Sequence, residues 1–136
     1  MAMSIESTAH FFLSLHFIIS PFQITLNGLA DFSIDGAGKY KLDGAGQNHV
    51  IVVSSGSVSF KNLAITGGYT TVNGGGITVN GGNVVVDACT IYNNSAPVGS
   101  GGGIYMTQGT LTVTGTEVRD NVANYGGGAA FVGNSA

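Results

Sequence analysis

A chain of 136 residues is long enough for one domain with a buried hydrophobic core, and it is short for two. Only 8% of the residues are charged, and four Lys and Arg against seven Asp and Glu give a net charge of −3. The chain therefore lacks a basic surface for phosphates, and we expect no nucleic-acid partner. The 23 glycines accompany only 2 prolines and 43% hydrophobic residues, a balance that excludes collagen and disordered linkers and predicts many tight turns.

The first 22 residues form an apolar segment that has no counterpart in the rest of the chain. We predict that residues 1–22 cap the domain formed by residues 23–136. A secretion signal is the alternative, but residues 1–9 carry Glu6 and no Lys or Arg, and no Ala-x-Ala cleavage site follows. The longest apolar stretch, residues 11–22, contains two serines, a histidine and Pro21. We predict no transmembrane helix, because a membrane span needs about 20 apolar residues.

Residues 24–47 alternate between apolar and polar positions in three short runs. These runs, at residues 24–26, 32–34 and 40–42, predict strands, because alternation with period two is the pattern of a strand with one buried face. The sequence Asp-Gly-Ala-Gly follows the second run at residues 35–38 and the third at residues 43–46. Asp and Gly favour tight turns, so we interpret this segment as the opening coil of a strand-rich domain.

Glycine triplets recur along the second half of the chain, at residues 74–76, 101–103 and 126–128. An offset of 27 in residue number aligns Ile77 with Ile104 and Val84 with Leu111, and an offset of 26 carries the register back to Val58. Such a regular period indicates stacked repeats, in which equivalent inward residues form one continuous core.

Each repeat contains three short runs of alternating β-branched residues, such as residues 77–79, 83–87 and 90–92. Three strands per coil of about 25–27 residues, over roughly four to five coils, predict an all-β parallel β-helix. The register also places Lys61 beside Asp87 on the solvent face. We expect these two side chains to form an ion pair between coils.

The repeat resembles a known family. The sequence Gly101-Gly102-Gly103-Ile104, followed by Val118-x-x-Asn121 and a new glycine triplet, is similar to the right-handed β-helix repeats of polymorphic outer membrane proteins and of pectin-lyase-like proteins. Those repeats carry Gly-Gly-Ala-Ile and Phe-x-x-Asn, so this chain has an aliphatic residue in place of Phe. The resemblance covers residues 24–136. It implies a right-handed coil and an adhesin-like or passenger-like module on a cell surface or in the extracellular space.

No set of residues predicts catalysis. Hydrolysis of a glycosidic bond needs two carboxylates that face the same sugar. The carboxylates of the regular coils are Asp87, Glu117 and Asp120, and no two of them share a column in adjacent coils. Glu117 and Asp120 are three residues apart in one coil, where a turn follows, so the pattern does not decide whether they face the same side, and we interpret them as a solvated pair. We therefore predict no catalytic residue and a protein that is not an enzyme.

No pattern predicts a metal or a cofactor either. Residues 36–39 lack the first Gly and the Ser or Thr of a phosphate-binding loop, and the two Asp-Gly turns lack the repeat of calcium-binding solenoids. His10, His16 and His49 have no ligand spacing. Cys89, the single cysteine, aligns with Leu63 and Thr116, so we interpret it as a buried structural thiol.

Asn94 and Asn121 occupy one column of the repeat, and that column begins at Gly68. Identical amide side chains in adjacent coils are able to hydrogen-bond to each other along the stack. We predict a structural Asn ladder at this column and no ligand-binding role for the two residues.

The sequence leaves three functions open. The leading hypothesis is a non-catalytic, secreted or cell-surface repeat module whose partners are glycans or surface proteins of a host. The first alternative is a carbohydrate-binding or polysaccharide-degrading β-helix. The second is ice binding through Thr110, Thr112, Thr114 and Thr116, but equivalent positions of the preceding coils, residues 57–61 and 83–87, do not repeat these threonines.

The last repeat is incomplete, because only eleven residues follow residue 125 in a unit that needs about 26. The preceding coil would then expose backbone groups at its strand edges, together with Leu111, Val113 and Val118. Open strand edges pair readily with other chains. We expect self-association through this C-terminal coil edge.

Overall fold

The computed structural model describes residues 2–6, 12–14 and 23–132 of the chain. The described part contains strands and no helix, and so no helix long and apolar enough to cross a membrane. The strands before the glycine-triplet repeats are β1 (Ala2–Glu6), β2 (Phe12–Ser14), β3 (Gln23–Asn27), β4 (Leu29–Asp35), β5 (Lys41–Asp43), β6 (Ile51–Val53), β7 (Gly56–Lys61) and β8 (Ala64–Thr66).

The strands that follow the first glycine triplet are β9 (Ile77–Val79), β10 (Asn83–Asp87), β11 (Thr90–Tyr92), β12 (Ser95–Ser100), β13 (Ile104–Met106), β14 (Thr110–Thr114), β15 (Glu117–Arg119), β16 (Val122–Tyr125) and β17 (Ala129–Phe131). Every strand pair is parallel, and each strand pairs with its equivalents in the neighbouring coils. The fold is therefore a right-handed parallel β-helix of about four turns, which confirms the predicted fold class.

The described strands form four sheets, which run along the axis of the coil. Sheet 1 has the strand order β1-β3-β6-β9-β13-β17, sheet 2 the order β14-β10-β7-β4-β2, and sheet 3 the order β15-β11-β8-β5. Sheet 4 is the pair β12-β16, which the sequence did not predict. It forms because residues 95–100 do not turn directly into the next coil but run beside residues 122–125.

Sheet 4 also explains why the glycine triplets are unevenly spaced. Ser95 pairs with Val122, whereas Ser100 pairs with Tyr125. The separation in sequence between paired residues therefore decreases from the start to the end of the β12-β16 pair. A bulge between Ala96 and Ser100 therefore holds two residues more than the equivalent part of the next coil. The change of period is confined to this corner, so the register of the core strands is unaffected.

Two strands lie within the N-terminal segment, for which we expected no repeat counterpart. Ala2 of β1 pairs with Gln23 of β3, and Phe12 of β2 pairs with Ser33 of β4. These partners are closer in sequence than the partners of the later coils. The first turn is therefore shorter than the others, which is why no repeat register reaches it. The assignment of residues 1–22 as a cap or a signal segment stays a prediction.

The core consists of columns of inward side chains, one from each coil. In sheet 1, Ile24, Ile51, Ile77 and Ile104 lie in one register column, and all four are buried. In sheet 2, Phe32 and Phe60 fall in neighbouring columns of adjacent coils, so that each phenyl ring lies beside an aliphatic residue in the coil above or below. This exchange of large and small residues keeps the interior evenly filled.

Candidate functional site

The predicted Asn column is built as a hydrogen-bonded ladder. The Nδ2 group of Asn94 donates to Oδ1 of Asn121 at 3.1 Å and to the Ile65 carbonyl at 3.1 Å. Oδ1 of Asn94 accepts the Gly68 N–H at 2.9 Å. In the next coil, Nδ2 of Asn121 donates to the Ile91 carbonyl at 2.9 Å. The ladder thus joins the corners of three consecutive coils.

This ladder has no free group for a ligand at Asn94. The side chain is 1% exposed, and both of its donors and its carbonyl oxygen are occupied by the protein. The glycine triplets make room for the amides: a Cβ at Gly103 would lie 2.9 Å from Nδ2 of Asn121. The contacts at this column are therefore those of a structural element.

The three carboxylates of the regular coils do not converge on one point. Arg119 engages two of them, with Nε 3.3 Å from Oε1 of Glu117 and Nη1 2.8 Å from Oδ2 of Asp120. The hydrogen bond to Asp120 raises the pKa of Arg119 above its ordinary value. Asp87 lies on another sheet, opposite Thr114. Within the described residues, no group of three or more His, Cys, Asp or Glu side chains could hold a metal ion.

The prediction of an ion pair between Lys61 and Asp87 is wrong, although the predicted register of their strands is correct. The two residues are direct partners in β7 and β10, yet their charged groups are not within 4.0 Å of each other in the structure of residues 23–132. Asp35 is the partner of Lys61 in the preceding coil. The lysine therefore lies between two carboxylates, and an exposed ammonium gains little from fixing itself on either one.

The two Asp-Gly turns are held by side-chain contacts to the backbone. Oδ1 of Asp35 accepts the Ala37 N–H at 2.8 Å, and Oδ1 of Asp43 accepts the Ala45 N–H at 2.9 Å. These contacts define Asx turns. The Ala37 N–H, with a smaller contribution from the Asn62 amide, lowers the pKa of Asp35.

Cys89 is buried, as its column predicted, with 3% of its surface exposed. Its Sγ lies 3.3 Å from the Phe60 carbonyl, and its backbone N–H donates to Oγ1 of Thr116 at 3.2 Å. Burial raises the pKa of the thiol. A buried thiol with a raised pKa is a poor nucleophile and a poor metal ligand.

A polar cluster around His49 was missed by the sequence analysis. Nδ1 of His49 lies 2.6 Å from the Gly74 carbonyl, and Nε2 lies 3.4 Å from Oγ1 of Thr70. Because a carbonyl only accepts, Nδ1 donates its proton to the Gly74 carbonyl. One signal for this cluster exists in the sequence: His49 falls in the column of Gly75 and Gly102. His10 and His16 lie outside the described residues.

The outer surface has a groove on sheet 1 whose lining contains no Lys, Arg, Asp or Glu side chain, called here the neutral groove. Val52, Thr78 and Tyr105 are register partners on the outer face of β6, β9 and β13. Asn73 and Asn80 flank β9, and together with His49 and Val72 these residues enclose about 260 Å³.

A second groove lies on sheet 3 and is lined by charged and aromatic residues. It encloses about 370 Å³ between Lys39, Tyr40, Lys41 and Tyr92, with Ala64 in its floor. Lys41 forms an ion pair with Asp43 at 3.2 Å. The guanidinium of Arg119 lies 4.7 Å from the centre of the Tyr92 ring, in cation–π contact.

The threonines of β14 form a row that is one coil deep. Thr110, Thr112 and Thr114 lie opposite Asn83, Val85 and Asp87, as the repeat register predicted. The coil before that presents Ser57, Ser59 and Lys61 at the same positions. The row therefore does not extend into a two-dimensional array of identical groups.

Comparison with known proteins identifies the family. The family model described as the right handed beta helix region matches residues 25–136. A search of curated proteins and a search of solved structures each gave no match. The matched residues contain β4 to β17 and most of β3, and therefore both grooves and the Asn ladder. The chain belongs to the family of right-handed β-helix proteins.

Proposed function

We propose that the chain is a non-catalytic β-helix repeat module that is secreted or displayed on a cell surface and binds a partner on its outer faces. The observation that carries this proposal is the distribution of charge. From β3 to β17, no strand of sheet 1 contains a charged residue. The charged residues of the described strands between Gln23 and Val132 lie in sheets 2 and 3.

A continuous uncharged face on a rigid stack favours recognition of a neutral, polar partner. Fixed strands hold its outward side chains at a spacing of about 4.8 Å from coil to coil. Because the strands of this surface are already ordered, the surface loses little conformational entropy when it binds an extended partner. We propose that this partner is a glycan or a protein of another surface.

The absence of enzymatic turnover is part of the proposal. It is supported by the positions of the carboxylates, since Glu117 and Asp120 share Arg119 and Asp87 lies on another sheet. Purified protein should release no reducing ends from pectin, alginate or neutral polysaccharides. Release that disappears in Asp87→Asn or Asp120→Asn, but persists in Asp31→Asn, would replace this proposal with a polysaccharide-degrading enzyme.

Carbohydrate binding without turnover is the second candidate, and the two grooves favour it. Each groove combines tyrosine with amide or hydroxyl groups, a composition that suits sugar rings. Binding of the labelled protein to a glycan array, compared with binding to a panel of surface proteins, separates the two kinds of partner. Binding to neither class would contradict the proposed role.

A further inference from the structure

We propose that Asn80 is a site of spontaneous deamidation, at which the backbone itself converts the side-chain amide into a carboxylate. The reaction favours an asparagine that is followed by glycine, because glycine has no side chain to obstruct its own backbone nitrogen. The chain contains three such pairs, Asn27-Gly28, Asn73-Gly74 and Asn80-Gly81. The structure distinguishes them by the hydrogen bond of the glycine N–H. The reaction does not depend on the binding role proposed above.

The chemistry uses only the chain and water. The backbone nitrogen of Gly81 loses its proton to solvent and attacks Cγ of Asn80, so that a bond from nitrogen to Cγ forms. The bond from Cγ to Nδ2 breaks, Nδ2 takes up a proton and leaves as ammonia, and a cyclic succinimide remains. Water then opens the ring at Cγ to give aspartate, or at the backbone carbonyl carbon to give isoaspartate. The attacking nitrogen must therefore be free of other partners.

Two of the three glycines have an N–H that is already engaged. The Gly74 N–H donates to the Ser100 carbonyl at 2.9 Å, and the Gly28 N–H donates to Oγ of Ser55 at 2.8 Å. Each bond must break before the nitrogen attacks, which slows the reaction about fivefold, the equivalent of about 1 kcal/mol. Asn73 is protected further, because Gly74 is buried and Oδ1 of Asn73 accepts the Ser100 N–H.

Gly81 is the exception among the three. Within residues 23–132, its N–H has no hydrogen-bond partner. Asn80 is exposed, and both residues lie in the corner between β9 and β10, outside the two strands. Oδ1 of Asn80 accepts the Thr107 hydroxyl at 3.3 Å. This bond draws electron density from Cγ, the atom under attack, and leaves Nδ2 free to depart.

Packing explains why glycine occupies this position although its N–H is unused. A Cβ at Gly81 would lie 2.6 Å from the Ser54 carbonyl oxygen of the preceding coil. The corner thus has no room for a side chain. The strand register makes Ser54 and Thr107 the equivalents of Asn80 in the adjacent coils. The reactive pair therefore occurs at this corner in one of the three coils.

Deamidation at this corner changes the charge of sheet 1. From β3 to β17, the strands of this sheet contain no charged residue, and Asn80 lines the neutral groove. Either product places a carboxylate there. Isoaspartate also adds a methylene group to the backbone between β9 and β10. The modified protein therefore carries a negative charge on a face that is uncharged in the newly made protein.

The test is incubation of the folded full chain near neutral pH, with samples taken over time for tandem mass spectrometry. Electron-transfer fragmentation locates the converted residue and distinguishes aspartate from isoaspartate. We expect conversion at Asn80 to be about fivefold faster than at Asn27 and conversion at Asn73 to be the slowest, with isoaspartate among the products. Equal rates at Asn80 and Asn27, or aspartate without isoaspartate, would overturn the proposal.

The unfolded chain is the control for local sequence. Each of the three asparagines follows a bulky apolar residue, namely Leu26, Val72 or Val79, and precedes glycine. In concentrated urea their rates should become similar, because the hydrogen bonds that distinguish the glycines are lost. A preference for Asn80 that persists in urea would show that the local sequence selects the site and that the fold does not.

Two substitutions test the role of the glycine N–H. Ser55→Ala frees the Gly28 N–H and should raise the rate at Asn27 about fivefold, while the rate at Asn80 stays the same. An unchanged rate at Asn27 would contradict protection by the hydrogen bond. Asn80→Ser introduces the residue that the preceding coil has at this position, and it removes the reactive amide. If the folded Asn80→Ser variant gains negative charge as fast as the original chain, the site lies elsewhere.

Discussion

Val86 lies in the middle of an inward column of sheet 2, between Phe60 and Val113, and is fully buried. Val86→Ala removes two methyl groups from a close-packed stack that cannot collapse without shifting the adjacent coils. We expect the free energy of unfolding to fall by about 2 to 4 kcal/mol, measured by chemical denaturation. The control is Val85→Ala, one residue away on the outer face, which should cost less than about 1 kcal/mol. Similar losses for both would place Val86 outside the core.

Asn94 is the buried member of the ladder, whereas Asn121 is half-buried. Asn94→Ala would leave the Gly68 N–H and the Ile65 carbonyl without their side-chain partners in a buried corner, while Oδ1 of Asn121 would keep the Asn94 N–H at 3.0 Å. We expect a loss of about 1 to 3 kcal/mol in the free energy of unfolding. Asn121→Ala should cost less, since Asn121 is half-buried and its removal opens the two Asn94 donors that it accepts from to water. A larger loss for Asn121→Ala than for Asn94→Ala would show that the ladder is not anchored at its buried end.

At the scale of elements, two of the corners between strands repeat as faithfully as the strands do. The corner after β7, β10 and β14 holds Asn62, Ala88 and Gly115, with φ of 50°, 52° and 55°. The next corner holds Gly67, Asn93 and Asp120, also with positive φ. Asn, Asp and Gly tolerate this left-handed conformation, whereas Ala pays a steric cost. Ala88 is therefore the strained member of its column.

Relief of this strain gives a prediction with the opposite sign from the core substitutions. Ala88→Gly should raise the free energy of unfolding by about 0.5 to 1 kcal/mol, because the strain removed exceeds the added chain entropy. Ala64→Gly, in strand β8 where φ is not positive, is the matched control and should lower it by about 0.5 to 1 kcal/mol. Thermal and denaturant unfolding of the two variants measure the difference. Destabilisation by both substitutions would argue against strain at Ala88.

The Asx turn after β4 predicts a dependence of stability on pH. The pKa of Asp35 is lowered by the Ala37 N–H and the Asn62 amide, so the folded state binds this proton less readily than the unfolded state. Its contribution to stability is present above the ordinary pKa and is lost as the pH falls through the lowered value. Asp35→Asn retains an acceptor for Ala37, and should make stability less sensitive to acid as the pH falls from the ordinary pKa of an aspartate through the lowered value. If Asp35→Asn leaves the fall of stability at acid pH unchanged, Asp35 does not contribute to that fall.

At the scale of the whole molecule, β14, β15 and β17 are edge strands of their sheets within the described structure. Val113 of β14 is 44% exposed there, so this end of the stack combines apolar surface with unpaired backbone groups. We expect the 136-residue chain to self-associate at micromolar concentration, as measured by light scattering. Val113→Lys should suppress association by charging the edge, whereas Val98→Lys, in the exposed part of sheet 4, should not. A monomer that Val113→Lys does not change would contradict this prediction.

The columns of the core were predictable from sequence because stacking forces equivalent residues into contact. Ile77 and Ile104, Val84 and Leu111, and Asn94 and Asn121 are register partners or ladder partners in the structure, as the repeat offset predicted. The buried position of Cys89 followed from the same alignment. The repeat period also predicts the strand order of the sheets, because each strand pairs with the equivalent strand of the next coil.

Features outside the columns were decided only by the tertiary structure. Sheet 4, the His49 cluster and the neutral groove join residues from loops that differ in length from coil to coil, such as Val72, Asn73 and Ser100. Outward residues need not match their neighbours, because water accepts almost any side chain there. The sequence by itself therefore determined the β-helix and its core. Which surface residues meet was decided by the path of the loops and by the bulge between Ala96 and Ser100.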